Sequence, residues 1–159
     1  MYKHKDLPIL ANLRKNGRIS LTKISRKTGV PISTIFDRMK HHWGRGIKKY
    51  TALLDFNEFG FTTRVHLLVS LPKDKRDEAR IFLMKHQNVN SLYKINNNFD
   101  FLVEAVFKHI KNLEDFIDAL ETRFLTETVE VHHIIDDIKR ESFMEDSKLA
   151  KLLLDDRLL

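Results

Sequence analysis

The side chains best suited to a specific chemical task lie between residues 33 and 41, where hydroxyl, carboxylate and cationic groups follow one another along a predicted helix. Serine and threonine hydroxyls donate to or accept from base edges, arginine binds guanine through two hydrogen bonds, and a carboxylate accepts from cytosine N4. Such a set is typical of the direct reading of base pairs in the major groove of DNA. The predicted base-reading residues are Ser33, Thr34, Asp37, Arg38, Lys40 and His41.

The charge of the chain is unevenly distributed, which favours the same chemistry. Residues 1–49 hold 13 Lys and Arg against 2 acids, a net charge of +11, whereas residues 50–159 hold 15 against 20, a net charge of −5. A strongly basic half indicates a polyanionic partner, here double-stranded DNA. Contacts to its phosphates carry no sequence information. The predicted phosphate-binding residues are Arg14, Arg18, Lys23, Lys27, Arg45, Lys48 and Lys49.

Two residues in this region each leave two interpretations open. Asp37 either reads a cytosine or forms an ion pair on the helix surface with a neighbour such as Arg38 or Lys40. Trp43 either belongs to the hydrophobic core, the commoner place for a lone tryptophan, or contacts the DNA backbone.

Helix-capping residues mark the elements that must position these side chains. Asp6 is predicted to cap a first helix, which Asn16-Gly17 ends, and Ser20 to cap a second, which Thr28-Gly29 closes. The apolar spacing predicts one inward stripe on each helix. These stripes contain Leu7, Leu10 and Leu13, then Leu21 and Ile24.

A third helix follows after only two residues, Val30-Pro31, and carries the predicted base-reading groups. Its inward residues are predicted to be Ile32, Ile35 and Met39. Two helices joined by so short a turn and preceded by a third form a helix-turn-helix. Residues 43–49 are predicted to form a turn and a short wing beside it.

The composition changes near residue 50 to alternating, strand-forming sequence, with residues 50–56 predicted as a connecting strand. Further strands are predicted over 62–71, 89–95, 99–107 and 129–138, and helices over 73–86 and 109–123. The inward-facing helix residues are predicted to be Ala79, Phe82, Leu83, Ile110, Leu113, Phe116, Ile117 and Leu120. The order βαββαβ is that of a ferredoxin-like domain.

The predicted fold class is therefore α+β, with a three-helix, winged-helix-like domain over 1–49 and a βαββαβ domain over 50–140. A tail over 141–159 follows, in which Leu149, Leu152, Leu153 and Leu159 suggest one side of an amphipathic helix. The strands at 67–69 and 101–103 are apolar on both faces, so the face without helices is predicted to pack on a second subunit. The alternative is that the connecting strand or the tail covers this face of the sheet.

Four stretches of the N-terminal half together form a pattern that is more specific than any one of them alone. They are residues 6–20 (DxxILxxLxxNGRIS), 24–30 (ISxxTGV), 33–39 (STIxxRM) and 47–52 (IKKYTA). With the βαββαβ half, the chain resembles over about residues 5–140 the Lrp/AsnC (leucine-responsive, feast/famine) transcriptional regulators of bacteria and archaea. The resemblance implies a sequence-specific DNA-binding regulator that forms homodimers and higher homo-oligomers.

The resemblance also implies that a small effector, often an amino acid, binds at the loop between the second and third strands of the C-terminal domain. The residues in this place are Asn96, Asn97, Asn98 and Asp100. The family usually has a glycine where this chain has Asn97, and asparagine also adopts the left-handed backbone. A buried leucine commonly stands at the position of His42, and Trp43 is the alternative occupant of that space. Pro31 replaces the usual serine cap and supplies no capping oxygen.

Several classes of protein are disfavoured by the composition. The chain has no cysteine, which excludes disulfides and thiolate metal sites and suits a cytoplasmic protein. Its apolar runs are far too short to span a bilayer, and its first residues do not resemble a signal peptide. Adjacent histidines such as His132 and His133 point to opposite faces of a strand, so neither a metal site nor a resident cofactor is predicted.

Two alternatives to a specific regulator remain. An architectural, nucleoid-type protein would use the same cations with little sequence preference. An enzyme is not predicted, because no catalytic constellation stands out, although siroheme decarboxylases share this two-domain architecture. The histidines that could serve such tetrapyrrole chemistry are His66, His109, His132 and His133.

Overall fold

A computed structural model of the chain describes residues 6–153. The chain forms two compact units. One comprises the residues up to Leu53 together with the segment from Ile138 onward, and the other comprises Leu54–Asp137. None of the helices described between residues 6 and 153 is long and apolar enough to cross a membrane.

The first unit begins with three helices, and the second of them is capped at both ends as the sequence predicts. They are α1 (Leu7–Lys15), α2 (Leu21–Thr28) and α3 (Ile32–His42). The Ser20 hydroxyl accepts from the Lys23 backbone N–H at 3.3 Å, and Gly29 closes α2 in the left-handed conformation, at φ 70°. Asp6 precedes α1 as predicted, but its side chain makes no capping hydrogen bond.

A small apolar core joins these three helices. Its buried members are Ile9, Leu13, Ile24 and Ile35, against which Ile19, Leu21, Val30, Met39 and Ile47 pack. The prediction that Ile32 faces inward is wrong, since this residue is 45% exposed. Ile32 occupies the first turn of α3, where the helix has only begun to pack against its neighbours.

The segment after Ile138 adds a short helix, α6 (Ser147–Leu153), which lies against α1. The Asp146 carboxylate accepts from the Lys148 backbone N–H at 2.7 Å at the start of α6, and Ala150 is buried. Leu149 and Leu152 are exposed, so they do not form the inward side of this helix within the described chain. Leu159, which was predicted to share their side, lies outside the described residues.

The second unit is a four-stranded antiparallel sheet with two helices, and it confirms the predicted βαββαβ order. Its elements are β1 (Thr63–Ser70), α4 (Arg76–Lys85), β2 (Val89–Lys94), β3 (Phe101–Phe107), α5 (Ile110–Phe124) and β4 (Thr128–His133). The strand order is β2-β3-β1-β4, so β3 and β1 lie at the centre. Leu67 of β1 faces Val103 of β3 and Val131 of β4.

Both helices cover one face of this sheet and enclose its core. The buried residues are Val65, Leu67, Val69, Leu71, Ala79, Leu83, Phe101, Val103, Ala105, Phe107, Leu113, Phe116, Leu120 and Phe124. The inward prediction for Ile110 is wrong, because this residue opens α5 and is 58% exposed.

Two predicted strands differ from the structure. Residues 50–55 form no strand, and a 3-10 helix over Phe56–Phe59 follows them. A strand needs a neighbour to pair with, and residues 50–55 find none in the described part of the chain. The last strand was predicted to reach residue 138 but ends at His133, where pairing with β1 stops. Ile135 and Ile138 beyond it are almost fully exposed.

The face of the sheet without helices carries a buried charge, Glu104 of β3. Its carboxylate accepts hydrogen bonds at 2.8 Å from Ser91 Oγ, Asn90 Nδ2 and Arg64 Nε. Arg64 Nη1 also binds Asp137 at 2.7 Å. Burial by itself would raise the pKa of Glu104, but the hydrogen bonds from Ser91, Asn90 and Arg64, with the charge of Arg64, together hold it below the ordinary value of 4.5.

This lowered pKa predicts a pH-dependent contribution to stability. A carboxylate with a depressed folded-state pKa stabilises the fold above its ordinary pKa, and that stabilisation is lost as the pH falls through the lowered value. We expect Glu104→Gln to lower the free energy of unfolding by roughly 1–2 kcal/mol near neutral pH. The deficit should shrink as the pH falls below 4.5.

Urea unfolding followed by circular dichroism at a series of pH values measures this difference. The matched control is Glu114→Gln, which changes an exposed glutamate of α5. A deficit for Glu104→Gln that stays constant down to acidic pH would show that the ionised carboxylate does not stabilise the sheet.

Candidate nucleic-acid interface

Helix α3 carries the predicted base-reading side chains, and the sequence before it fixes where it begins. Gly29 turns the chain in the left-handed conformation, and Pro31 has the extended backbone of the residue that precedes a helix. Ile35, one turn into α3, is fully buried in the core of the first unit. The opposite side of α3 therefore faces outward.

That outward side displays most of the predicted base-reading residues. Ser33, Asp37, Lys40 and His41 are exposed, whereas Thr34 is half-buried. Within residues 6–153, Asp37 forms no ion pair with Arg38, which binds Asp6 instead, or with Lys40. A carboxylate held on the surface without a cation is available to accept a hydrogen bond.

Arg38 lies at the flank of α3 instead of its outer face. Its guanidinium binds the Asp6 carboxylate at 3.0 Å, and its side chain is 27% exposed. The other oxygen of Asp6 lies 3.1 Å from Nε2 of His42, one turn further along α3. Asp6 and His42 are both buried. One carboxylate thus joins the start of α1 to two successive turns of α3, and we name these three residues the Asp6 cluster.

The Asp6 cluster corrects two expectations about the end of α3. His42 itself fills the buried position where a leucine is common, and Trp43 is 56% exposed. Trp43 therefore does not belong to the core. Its indole stacks on Tyr50, with ring centroids 5.4 Å apart. The stack lies on the surface of the first unit beside the turn that ends α3.

The predicted wing is a tight turn. The carbonyl oxygen of His42 accepts from the backbone N–H groups of Arg45, Gly46 and Ile47 at 3.0–3.2 Å. Gly44 adopts φ 76°, a left-handed conformation in which a side chain is strained. Three donors on one carbonyl hold the turn against α3. The turn therefore fixes where the backbone that carries the following cations begins.

The predicted phosphate-binding cations are all exposed, but two of them already make contacts within the first unit: Lys48 Nζ donates to the Gly44 carbonyl at 3.3 Å, and Arg14 binds the segment after Ile138. Arg18, Lys23, Lys27, Arg45, Lys48 and Lys49 lie on the surface of the first unit. Arg14 instead forms an ion pair with Glu141, and its Nε donates to the Phe143 carbonyl at 3.1 Å. The segment after Ile138 therefore occupies the Arg14 guanidinium.

The predicted effector loop joins β2 to β3. Asn97 has φ 68°, the left-handed backbone expected where a glycine is usual, and Asn96, Asn97 and Asn98 are exposed. The Asp100 carboxylate faces inward, where it accepts from the Leu71 backbone N–H at 2.9 Å and binds Arg76 Nε at 2.8 Å. Asp100 therefore fixes this loop to the segment between β1 and α4.

Sequence reasoning missed three features of this region. It assigned Asp6 only a capping role, because its partners lie 32 and 36 residues further along the chain. It also left out Phe36 and placed Ile32 inside, although both are exposed on α3. A helical wheel of α3 would have placed Phe36 outside the stripe of Ile35 and Met39.

The Asp6 cluster generates a stability prediction. Replacing Asp6 by alanine removes a buried carboxylate that binds both a cation and an imidazole, so we expect Asp6→Ala to lower the free energy of unfolding by about 2 kcal/mol. Asp37→Ala removes an exposed acid of the same unit and should leave stability unchanged. Thermal unfolding followed by the fluorescence of Trp43 measures both variants, and equal effects would show that the Asp6 cluster does not stabilise the unit.

Comparisons with known proteins agree with this geometry. Residues 3–41 match the family model of winged helix-turn-helix DNA-binding domains. The chain is 32% identical over 124 residues to the HTH-type transcriptional regulator PH0045 of Pyrococcus horikoshii, with 76% of this chain and 80% of that protein covered. It is 30% identical over 116 residues to the HTH-type transcriptional regulator FL11 of Pyrococcus furiosus, with coverage of 72% and 77%.

Solved structures share the fold over nearly the whole chain. The transcriptional regulator NMB0573 of Neisseria meningitidis, crystallised as a complex with L-Met, matches with a TM-score of 0.79 at 22% identity, over 88% of this chain and 94% of that one. LrpC of B. subtilis matches with a TM-score of 0.78 at 19% identity, over 87% and 98%. With a helix-turn-helix unit, a βαββαβ unit and these relatives, the chain belongs to the Lrp/AsnC family of DNA-binding transcriptional regulators.

Proposed function

We propose that this regulator recognises a specific operator sequence by placing the outer side of α3 in the major groove of DNA. The observation that carries the proposal is the exposed row Ser33, Asp37 and Lys40 on a helix whose opposite side is held by Ile35 and the Asp6 cluster. These three side chains offer a hydroxyl, a carboxylate and an ammonium group to base edges.

The two sets of polar residues have separate roles in this proposal. The exposed cations outside α3 bind phosphates and set the position of the unit on the duplex. Thr34 and His41 border the reading row, and Arg38 acts by holding α3 through Asp6. A dimer places its two α3 helices in successive major grooves, about one helical turn apart, on a pseudo-palindromic site.

An architectural role is the second candidate, favoured by the excess of cations in residues 1–49. A protein that binds by charge and DNA bending has no use for a carboxylate on the helix that enters the groove, since that carboxylate faces a polyanion. Asp37 is exposed in this place, which supports specific reading. The named relatives are transcriptional regulators, which disfavours the enzymatic alternative.

The experiment that tests specific reading starts from a duplex chosen by selection from random DNA with the full chain. Fluorescence anisotropy then compares this duplex with a scrambled one across a salt series. We expect the selected duplex to bind tighter by a factor of about 10³ or more. Equal, strongly salt-dependent binding to both would support the architectural role, and no binding to either would contradict DNA recognition.

The same assay assigns the phosphate contacts. Lys27→Ala should weaken binding to both duplexes alike and reduce the slope of log affinity against log salt by about 1. Lys111→Ala, which removes an exposed lysine from α5 of the second unit, is the matched control and should change neither quantity. A change in the preference between duplexes for Lys27→Ala would place Lys27 at the bases.

The second unit supplies a surface for a second copy of the chain. On the face without helices, Leu68 pairs in register with Leu102, and Leu102 with Tyr93, so three large side chains form one row across β1, β3 and β2. Tyr93 is exposed and both leucines are half-buried. Such a row is stabilised when an identical sheet packs on it, and we propose a homodimer that extends to higher homo-oligomers.

A small amino-acid effector completes the proposal. NMB0573, with the same fold, was crystallised with L-Met. In the present chain, the loop of Asn96, Asn97 and Asn98 offers amide groups to a ligand. Asp100 transmits the position of this loop through its contacts with Leu71 and Arg76. An effector that binds one assembly better than another shifts the population toward it and thereby changes DNA affinity.

Sedimentation velocity tests both assembly and effector. We expect the native chain to sediment as a dimer or larger, and Leu102→Arg, which adds a charge to the row, to sediment as a monomer. The matched control is Leu149→Arg on the exposed side of α6. Repeating the runs with each L-amino acid should change the assembly with at least one of them. A native monomer contradicts the proposed interface, and an unchanged assembly with every amino acid contradicts the effector.

A further inference from the structure

Two apolar side chains lie on the outer side of the helix assigned to DNA. Phe36 is 58% exposed and Ile32 is 45% exposed. They are four residues apart on α3, which places them next to each other on one side of the helix. Neither belongs to the core of the first unit.

The surroundings of this pair restrict what it can contact. Ser33, Asp37 and Lys40 border it on α3, and all three are exposed and polar. On α3 the pair thus has exposed polar neighbours, and two apolar side chains are too few for a stable protein interface, which needs a large desolvated core. Apolar side chains also gain nothing from phosphates, which bind cations and N–H donors.

The major groove contains one apolar group, the C5 methyl of thymine. A phenylalanine at the second turn of α3 and an isoleucine at its first turn lie among the side chains closest to the base edges when the N-terminal part of such a helix enters the groove. Contact with a thymine methyl removes apolar surface of both partners from water, which is favourable.

We infer that Ile32 and Phe36 are specificity-determining residues that read thymine methyl groups in each half of the operator. The inference rests on the proposed DNA recognition by α3 and names a feature of the sequence that α3 recognises. Ser33, Asp37 and Lys40 contribute polar contacts beside these methyl groups. Replacing such a thymine by cytosine weakens binding, because the methyl contact is lost and the hydrogen-bond pattern of the base edge changes.

Replacing thymine by deoxyuridine tests the inference, because it removes the methyl and leaves base pairing intact. The probe is the duplex selected by the full chain, with each thymine of one half-site exchanged singly. We expect at least one exchange to weaken binding of the native chain by about fourfold, the effect of one buried methyl-sized group. If the selected half-site contains no thymine, or if no exchange weakens binding, the inference is overturned.

Variants assign the methyl contact to the two side chains. Phe36→Ala should weaken binding to the thymine duplex, and this variant should bind the thymine and deoxyuridine duplexes with equal affinity. Phe36→Leu should keep part of the difference in affinity between the two duplexes. Phe143→Ala removes an exposed phenylalanine elsewhere in the first unit and should keep the native ratio. Ile32→Ala tests the second contact in the same way.

Each outcome separates this inference from DNA recognition itself. If Phe36→Ala and Ile32→Ala both keep the native ratio of affinities for the thymine and deoxyuridine duplexes, the assignment of the methyl contact is overturned. Specific binding to the selected duplex would still support reading by α3. Failure to select any duplex contradicts DNA recognition by α3 and the inference with it. Since Phe36 is exposed, thermal unfolding should show that Phe36→Ala folds as the native chain does.

Discussion

The presentation of α3 depends on the buried carboxylate of Asp6. A carboxylate removed from water is costly unless cations and hydrogen-bond donors surround it, and here Arg38 at 3.0 Å and His42 at 3.1 Å supply them. Because both partners lie on one flank of α3, satisfying Asp6 fixes the rotation of the helix about its axis as well as its distance from α1. The rotation decides which side chains face outward.

The composition of the outer side follows from that rotation. Ile35 and His42 are inside, Arg38 is held at the flank, and Ser33, Phe36, Asp37 and Lys40 are left outside. The outer side therefore combines polar and apolar groups suited to base edges, while the freely exposed cations lie mainly on α2, its flanking turns and the turn after α3. The contacts of Asp6 thus separate the groups that we propose to read bases from those that we propose to bind phosphates.

Local patterns were sufficient to predict most of the fold. Ser20 and Gly29 marked the ends of α2, and alternating apolar residues predicted the four strands and the βαββαβ order. Two of the failed predictions concern the partners of a residue or segment. The roles of Asp6 and His42 arise from a contact 36 residues apart, and residues 50–55 lack a strand to pair with in the described chain. Ile32 and Ile110 fell at the first turns of their helices, where periodicity does not guarantee burial.

Site-specific cross-linking tests the central claim, that the Asp6 cluster presents α3 to the bases, most directly. The chain contains no cysteine, so Ser33→Cys carries a single photo-cross-linking probe on the outer side of α3, and Asp118→Cys on α5 is the control. The account predicts that the probe at residue 33 cross-links to bases within each operator half-site and that the probe at residue 118 does not cross-link. Equal cross-linking from both positions, or none from residue 33 in a duplex that is bound, would contradict it.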